Sequence, residues 1–91
     1  MQRVRTAFAA AEVLTAARDF FTSRSGIYAA FLEKEGPGFI TLRGQGGEEI
    51  AIGVAAVPGG TEVTGSSYLF DAQVARFLST LPPVPVAHGV A

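Results

Sequence analysis

The chain has 91 residues and a mass of 9.4 kDa, a length that fits one small domain built around one core. Its seven basic and eight acidic residues give a net charge of −1, whereas domains that bind nucleic acid usually carry a basic excess. The absence of cysteine excludes disulfides and thiolate metal sites and favours the cytoplasm over secretion. Because no apolar run has the length of a membrane span, we expect neither a membrane nor a nucleic-acid partner.

Charged residues make up 16% of the chain and hydrophobic residues 48%, against a usual charged share of about 25%. A small domain has a large surface for its volume. The shortage of charge therefore predicts that a partner covers part of the apolar surface. The excess of arginine over lysine and the abundant alanine are typical of a GC-rich bacterial genome.

The first two predicted elements are a strand and a helix. Residues 2–8 alternate between apolar and polar side chains, the period of a half-buried strand. Residues 10–22 place apolar side chains at spacings of three and four, which predicts an amphipathic helix. The members of this apolar stripe are Ala10, Val13, Leu14, Ala17, Phe20 and Phe21.

Four short strands follow, separated by turns rich in glycine and proline. They are predicted at residues 27–33, 39–43, 49–57 and 61–67, with turns at residues 35–38, 44–47 and 58–60. Short connections between consecutive strands favour an antiparallel meander.

A second helix is predicted at residues 69–81, where apolar side chains recur at helical spacing until Pro82 and Pro83 end it. The order β-α-β-β-β-β-α indicates an α+β domain over residues 1–81, with two helices packed on one face of an antiparallel sheet. Residues 82–91 form a C-terminal tail, either loose or laid as an extended arm across a neighbour.

Two local patterns carry a family resemblance. Residues 8–14, leading to Asp19 and Phe20, resemble the first strand and helix of the START/Bet v1-like (helix-grip, polyketide cyclase-like) superfamily, and residues 60–64 (GTEVT) resemble the strand before its last helix. The resemblance implies an apolar ligand cavity, although family members are longer and this chain lacks the parts that enclose it. The same element order also resembles one repeat of a TATA-binding-protein-like fold, whose basic concave face this chain lacks.

The third strand of the meander, residues 49–57, is apolar or small on both faces, unlike a strand with one wet face. We therefore predict an uncovered apolar sheet face that binds a second copy of the chain, which makes the protein a homodimeric, non-enzymatic interaction module. The candidate interface residues are Phe39, Ala51, Gly53, Ala55 and Val57. The dimer could instead form through edge strands. Two further alternatives are that this strand is merely rich in alanine, or that the tail covers the face through Val84, Val86 and Val90.

Two other functions stay open. The first is a START-like binder of a small apolar ligand, with a candidate lining of Phe31, Ile40, Ile52, Phe70, Val74 and Phe77. The second is a small enzyme with a carboxylate site, for which Glu33, Glu35 or Glu62 would have to converge in a cleft. The sequence assigns no catalytic residue, no metal ligand and no cofactor, and its single histidine, His88, lies in the unpatterned tail.

Overall fold

The computed structural model describes residues 1–24, 30–44, 46–67 and 70–84. Its elements are β1 (Gln2–Thr6), α1 (Ala10–Asp19), a π-helical turn (Phe20–Arg24), β2 (Phe31–Gly36), β3 (Phe39–Arg43), β4 (Glu49–Val57), β5 (Gly60–Ser67) and α2 (Asp71–Ser79). The chain is thus an α+β domain in the predicted order, and β3 and β4 have the predicted bounds.

The five strands form one antiparallel sheet in the order β1-β5-β4-β3-β2. Both helices pack on the same face of it, α1 over β3, β4 and β5, and α2 over β5 and β1. The core lies between these two layers. Its fully buried side chains include Val13, Phe21, Ile40, Leu42, Ile50, Ile52, Val63, Val74 and Phe77.

Helix α1 begins at Ala10 without a polar N-cap side chain. The Glu12 carboxylate Oε1 compensates by accepting a hydrogen bond from the Ala9 backbone N–H at 2.9 Å, which is one half of a capping box. The helix then widens into the π-helical turn, where the prediction had regular helix to residue 22. This turn brings two consecutive rings, Phe20 and Phe21, to 5.5 Å each from the Phe77 ring.

The two tight hairpins owe their geometry to proline and glycine. Pro58 and Gly59 join β4 to β5, and Gly59 has φ +82°, as the third residue of a type II turn requires. Pro37 and Gly38 join β2 to β3, so that Gly36 pairs with Phe39. The predicted end of the second strand at residue 33 was therefore wrong, because the strand continues to Gly36. A bulge at Glu33 separates the pairs on either side of it.

The start of the tail lies along β1. The Pro82 carbonyl accepts hydrogen bonds from the Ala7 N–H at 3.0 Å and from the Thr6 hydroxyl at 2.6 Å. Val84 lies at the β4–β5 turn, 3.6 Å from the position of a Cβ on Gly59. Within the described ranges, no helix is long and apolar enough to cross a membrane.

Several predictions concern residues outside the described part of the chain. These are the strand start at residues 27–29, the helix start at Leu69, and the roles weighed for Val86, His88 and Val90.

Candidate functional site

One face of the sheet is opposite the helices, and we call it the open face. Paired residues of an antiparallel sheet point to the same side, so the strand register defines its members. They are Arg3 and Arg5 on β1, Phe31 and Lys34 on β2, Phe39, Thr41 and Arg43 on β3, Glu49, Ala51, Gly53, Ala55 and Val57 on β4, and Glu62, Thr64 and Ser66 on β5. Neither α1 nor α2 packs against this face.

All five candidate interface residues lie on the open face. Four of them follow each other along the central strand β4, and Phe39 is the register partner of Gly53. Ala55 is exposed, and Phe39 keeps 38% of its surface exposed. The register thus brings the predicted set together as one continuous stripe.

The Phe39 ring forms a ridge on this stripe, and Ala51, Gly53 and Ala55 form a shallow groove beside it. The Phe39 ring leans toward the sheet edge, where a Cβ built on Gly36 would lie 2.5 Å from the ring atom Cε1. The ring therefore leaves Gly53 uncovered, and the nearest atom to a Cβ at Gly53 is the Thr64 Oγ1 at 3.0 Å. The groove along Ala51, Gly53 and Ala55 is consequently open to close approach by another surface.

A cluster of charged and polar groups surrounds the Arg43 guanidinium at the β2–β3 corner of the open face. Arg43 donates from Nε to Glu33 Oε2 at 2.7 Å and from Nη2 to Glu33 Oε1 at 3.0 Å, while its Nη1 donates to the Gly47 carbonyl at 2.7 Å. Glu49 lies 4.0 Å from the same guanidinium. The hydrogen bonds from Arg43 lower the pKa of the Glu33 carboxyl and raise the pKa of Arg43, so both groups stay charged.

The opposite edge of the open face carries two further arginines. Arg5 forms an ion pair with its register partner Glu62 at 3.6 Å. Arg3 is exposed, and no ion pair to it occurs among the described residues. The charged members of the open face thus lie toward its borders, and its centre holds apolar, small and hydroxyl-bearing side chains.

The candidate ligand lining does not form one surface. Ile40, Ile52, Phe70, Val74 and Phe77 belong to the closely packed core, each at most 9% exposed. Phe31 is 56% exposed and pairs with Arg43 on the open face, so the structure separates it from the other five residues. An open pocket of about 540 Å³ lies elsewhere, on the outer side of α1, and its lining includes Phe8, Ala11, Glu12 and Thr15.

The three candidate catalytic carboxylates are held apart, each on its own arginine. Glu33 binds Arg43 on the open face. Glu35 binds Arg18 of α1 at 2.8 Å on the helix side. Glu62 of β5 binds Arg5 of β1. The described residues also contain no group of three histidine, cysteine or acidic side chains that could hold a metal ion. The arrangement is that of surface ion pairs rather than of an acid–base site.

The sequence prediction missed several residues of the open face. Thr41, Arg43 and Glu49 lie two or four positions from predicted members, so period-2 spacing could have found them. Only the register of three strands places Thr64 beside Gly53 and Arg3 beside Thr64.

Comparison of the chain with protein-family models, with curated proteins and with solved structures finds no significant match. The resemblances to START/Bet v1-like and TATA-binding-protein-like folds therefore stay predictions.

Proposed function

We propose that this chain is a non-enzymatic interaction module that acts as a homodimer and binds its second copy through the open face. The observation that carries this proposal is the composition of β4. Ile50 and Ile52 are fully buried beneath the helices, yet Ala51, Gly53 and Ala55 on the other side are also apolar or small. A face that met only water would carry polar side chains at those positions.

The exposed aromatic residues support the same proposal. Among the described residues the large hydrophobic side chains that remain exposed are Met1, Phe31 and Phe39. Two of the three lie on the open face. Aromatic side chains are enriched at protein interfaces, since they bury a large area at a small cost in conformational entropy. The net charge of −1 per chain opposes the approach of a second copy only weakly.

The size of the open face sets the strength of the expected association. Five strands spaced about 4.8 Å apart, with a rise of about 3.3 Å per residue, give a face of roughly 500 Å² per copy. Two copies would cover roughly 1,000 Å² in total, the lower limit of a specific interface. We therefore expect a micromolar dimer that exchanges with monomer.

Light scattering and sedimentation over a range of micromolar concentrations test the proposal directly. The mean mass should rise with concentration toward twice the 9.4 kDa of one chain. Ala55→Lys should weaken association by about tenfold or more, because the second copy would have to remove a long charged side chain from water. This substitution suits the fold, since Ala55 pairs with Glu62 on β5 and opposite charges at paired positions stabilise a sheet.

The matched control is Ala75→Lys, which adds the same group at an exposed position of α2. It should leave the association unchanged. A chain that stays monomeric across the concentration range would refute the proposal, as would equal effects of the two lysines. Native mass spectrometry on the same samples would reveal a co-purified apolar ligand, the outcome that favours the START-like alternative. The cysteine-free composition supports the cytoplasm as the proposed compartment.

A further inference from the structure

Strands β3 and β4 pair residues of opposite character across the open face. At one pair a large side chain meets none, at the next a hydroxyl meets a methyl, and at the last a cation meets an anion. The pairs, in the same order, are Phe39 with Gly53, which has no side chain, Thr41 with Ala51, and Arg43 with Glu49.

This register has a geometric consequence for two copies placed face to face. A two-fold axis that runs parallel to the strands, midway between β3 and β4, places β3 of one copy over β4 of the other. Each residue then lies over the partner copy of its own register neighbour. A large side chain then faces a glycine and a cation faces an anion across the two sheets. The two copies are therefore complementary in size and charge, as an isologous interface requires.

We propose that the dimer forms about this axis, so that the Phe39 ring of each copy fills the groove at the partner's Gly53 and each Arg43 faces the partner's Glu49. The inference rests on the proposed homodimer and specifies its geometry.

The side-chain positions fit this arrangement. The Phe39 ring leans on Gly36 and leaves Gly53 of its own chain uncovered by aromatic atoms. In the proposed dimer the ring turns away from Gly36 to reach the partner's Gly53. Gly53 has no side chain to obstruct a ring that arrives from above. The Glu49 side chain is 56% exposed, and its contact with Arg43 of its own chain is long, at 4.0 Å. It can therefore accept a second guanidinium without losing a tight partner. The centre and one end of the interface are thereby complementary in shape and in charge.

The area also fits a second copy of this chain. With the axis between β3 and β4, four of the five strands of each sheet overlap, which gives roughly 400 Å² of sheet face per copy and roughly 800 Å² in total. That total lies in the range of weak and transient complexes, in keeping with a micromolar dimer. Strands related by an axis parallel to themselves also pack in the aligned class of sheet-on-sheet contacts.

Cysteine cross-linking can test the axis, since the native chain contains no cysteine. Thr41→Cys lies beside the proposed axis, so a short bis-maleimide should join most of the chains into covalent dimers at concentrations where the dimer forms. Arg3→Cys is on the same face but on β1, outside the overlap, and should cross-link no better than Ala75→Cys on α2. Sedimentation of each unmodified variant establishes that it still associates.

The outcomes separate this inference from the proposed function. Efficient cross-linking at Thr41→Cys alone supports the axis. A dimer that cross-links at Arg3→Cys instead has its axis elsewhere on the open face, which overturns the inference and leaves the open-face dimer standing. A dimer that cross-links at neither position also overturns the inference, and the comparison of Ala55→Lys with Ala75→Lys then decides whether the open face is the interface. A monomer at every concentration overturns both.

Discussion

Gly65 is the position where the packing of α2 on the sheet can be tested most sharply. It lies on the helix face of β5, as the register partner of Ile52. A Cβ added there would lie 2.6 Å from the Val74 Cγ1, 3.4 Å from the Ile52 Cδ1 and 3.9 Å from the Leu78 Cδ1. The first distance is too short for two carbons, so Gly65→Ala must displace Val74 or tilt α2.

Two opposing effects set the size of the change. Overpacking of a well-filled core costs about 1–3 kcal/mol, whereas alanine in the middle of a strand is favoured over glycine by roughly 0.5–1 kcal/mol. We expect Gly65→Ala to lower the free energy of unfolding by about 1–2 kcal/mol, which lowers the Tm of a domain of this size by about 4–16 °C.

Urea denaturation at a protein concentration below the dimerisation range measures this change without a contribution from association. Val74→Ala removes the methyl that clashes, so the double variant Gly65→Ala/Val74→Ala should be more stable than the sum of the single changes predicts, by about 1–2 kcal/mol. An additive double variant, or a Gly65→Ala protein as stable as the parent, would show that α2 does not sit on β5 in this way.

Three other perturbations have defined outcomes. Phe77→Ala should lower the free energy of unfolding by about 3–5 kcal/mol in the same urea assay, because it empties the centre of a fully packed core. Thr6→Val keeps the shape of a fully buried side chain but removes two hydrogen bonds, the one that the hydroxyl donates to the Pro82 carbonyl and the one that it accepts from the Phe8 N–H. It should cost about 1–3 kcal/mol, and no loss would mean that the hydroxyl does not make these hydrogen bonds. Arg43→Gln should raise the pKa of the Glu33 carboxyl toward its ordinary value in an NMR titration. The pKa of Glu33 is lowered in the folded state, so this pair stabilises the fold above the unfolded-state pKa, and the stabilisation is lost as the pH falls through the folded-state pKa.

Strands β3 and β4 were predicted best. They match their predicted bounds, and β5 begins one residue early, at Gly60. Glycine or proline lies within two residues of both ends of β3 and β4 and at the start of β5, where it restricts or releases the backbone locally. Local chemistry is sufficient to define such strands, whatever they pack against.

Bounds that depend on tertiary packing were predicted poorly. The end of α1 as a π-helical turn brings the adjacent Phe20 and Phe21 against the same partner, Phe77. Regular helix would separate adjacent side chains by about 100°. Strand β2 extends to Gly36 because Pro37 and Gly38 alone form the turn, so that Gly36 pairs with Phe39, whereas the prediction had a turn over residues 35–38.

The candidate interface was predictable as a set of residues but not as a face. Alternation along β4 grouped Ala51, Gly53 and Ala55, yet a shift of one residue in register would have exchanged them with the core. The same ambiguity placed Phe31 in the core, whereas its pairing with Arg43 places it on the open face. Register is a property of strand pairs, and a single strand's sequence does not contain it.

Gly53 and Gly65 lie one register position apart on adjacent strands and point to opposite faces of the sheet. A Cβ at Gly65 would meet side chains of the core, but at Gly53 it would meet the rotatable Thr64 hydroxyl at 3.0 Å and the Gly38 carbonyl oxygen at 3.9 Å. Rotation of the Thr64 side chain can relieve the first contact, and alanine is favoured over glycine within a strand. We therefore expect Gly53→Ala to leave the isolated chain about as stable as the parent. In the proposed dimer the same methyl group lies in the groove that receives the partner, so Gly53→Ala should weaken dimerisation while Gly65→Ala weakens folding.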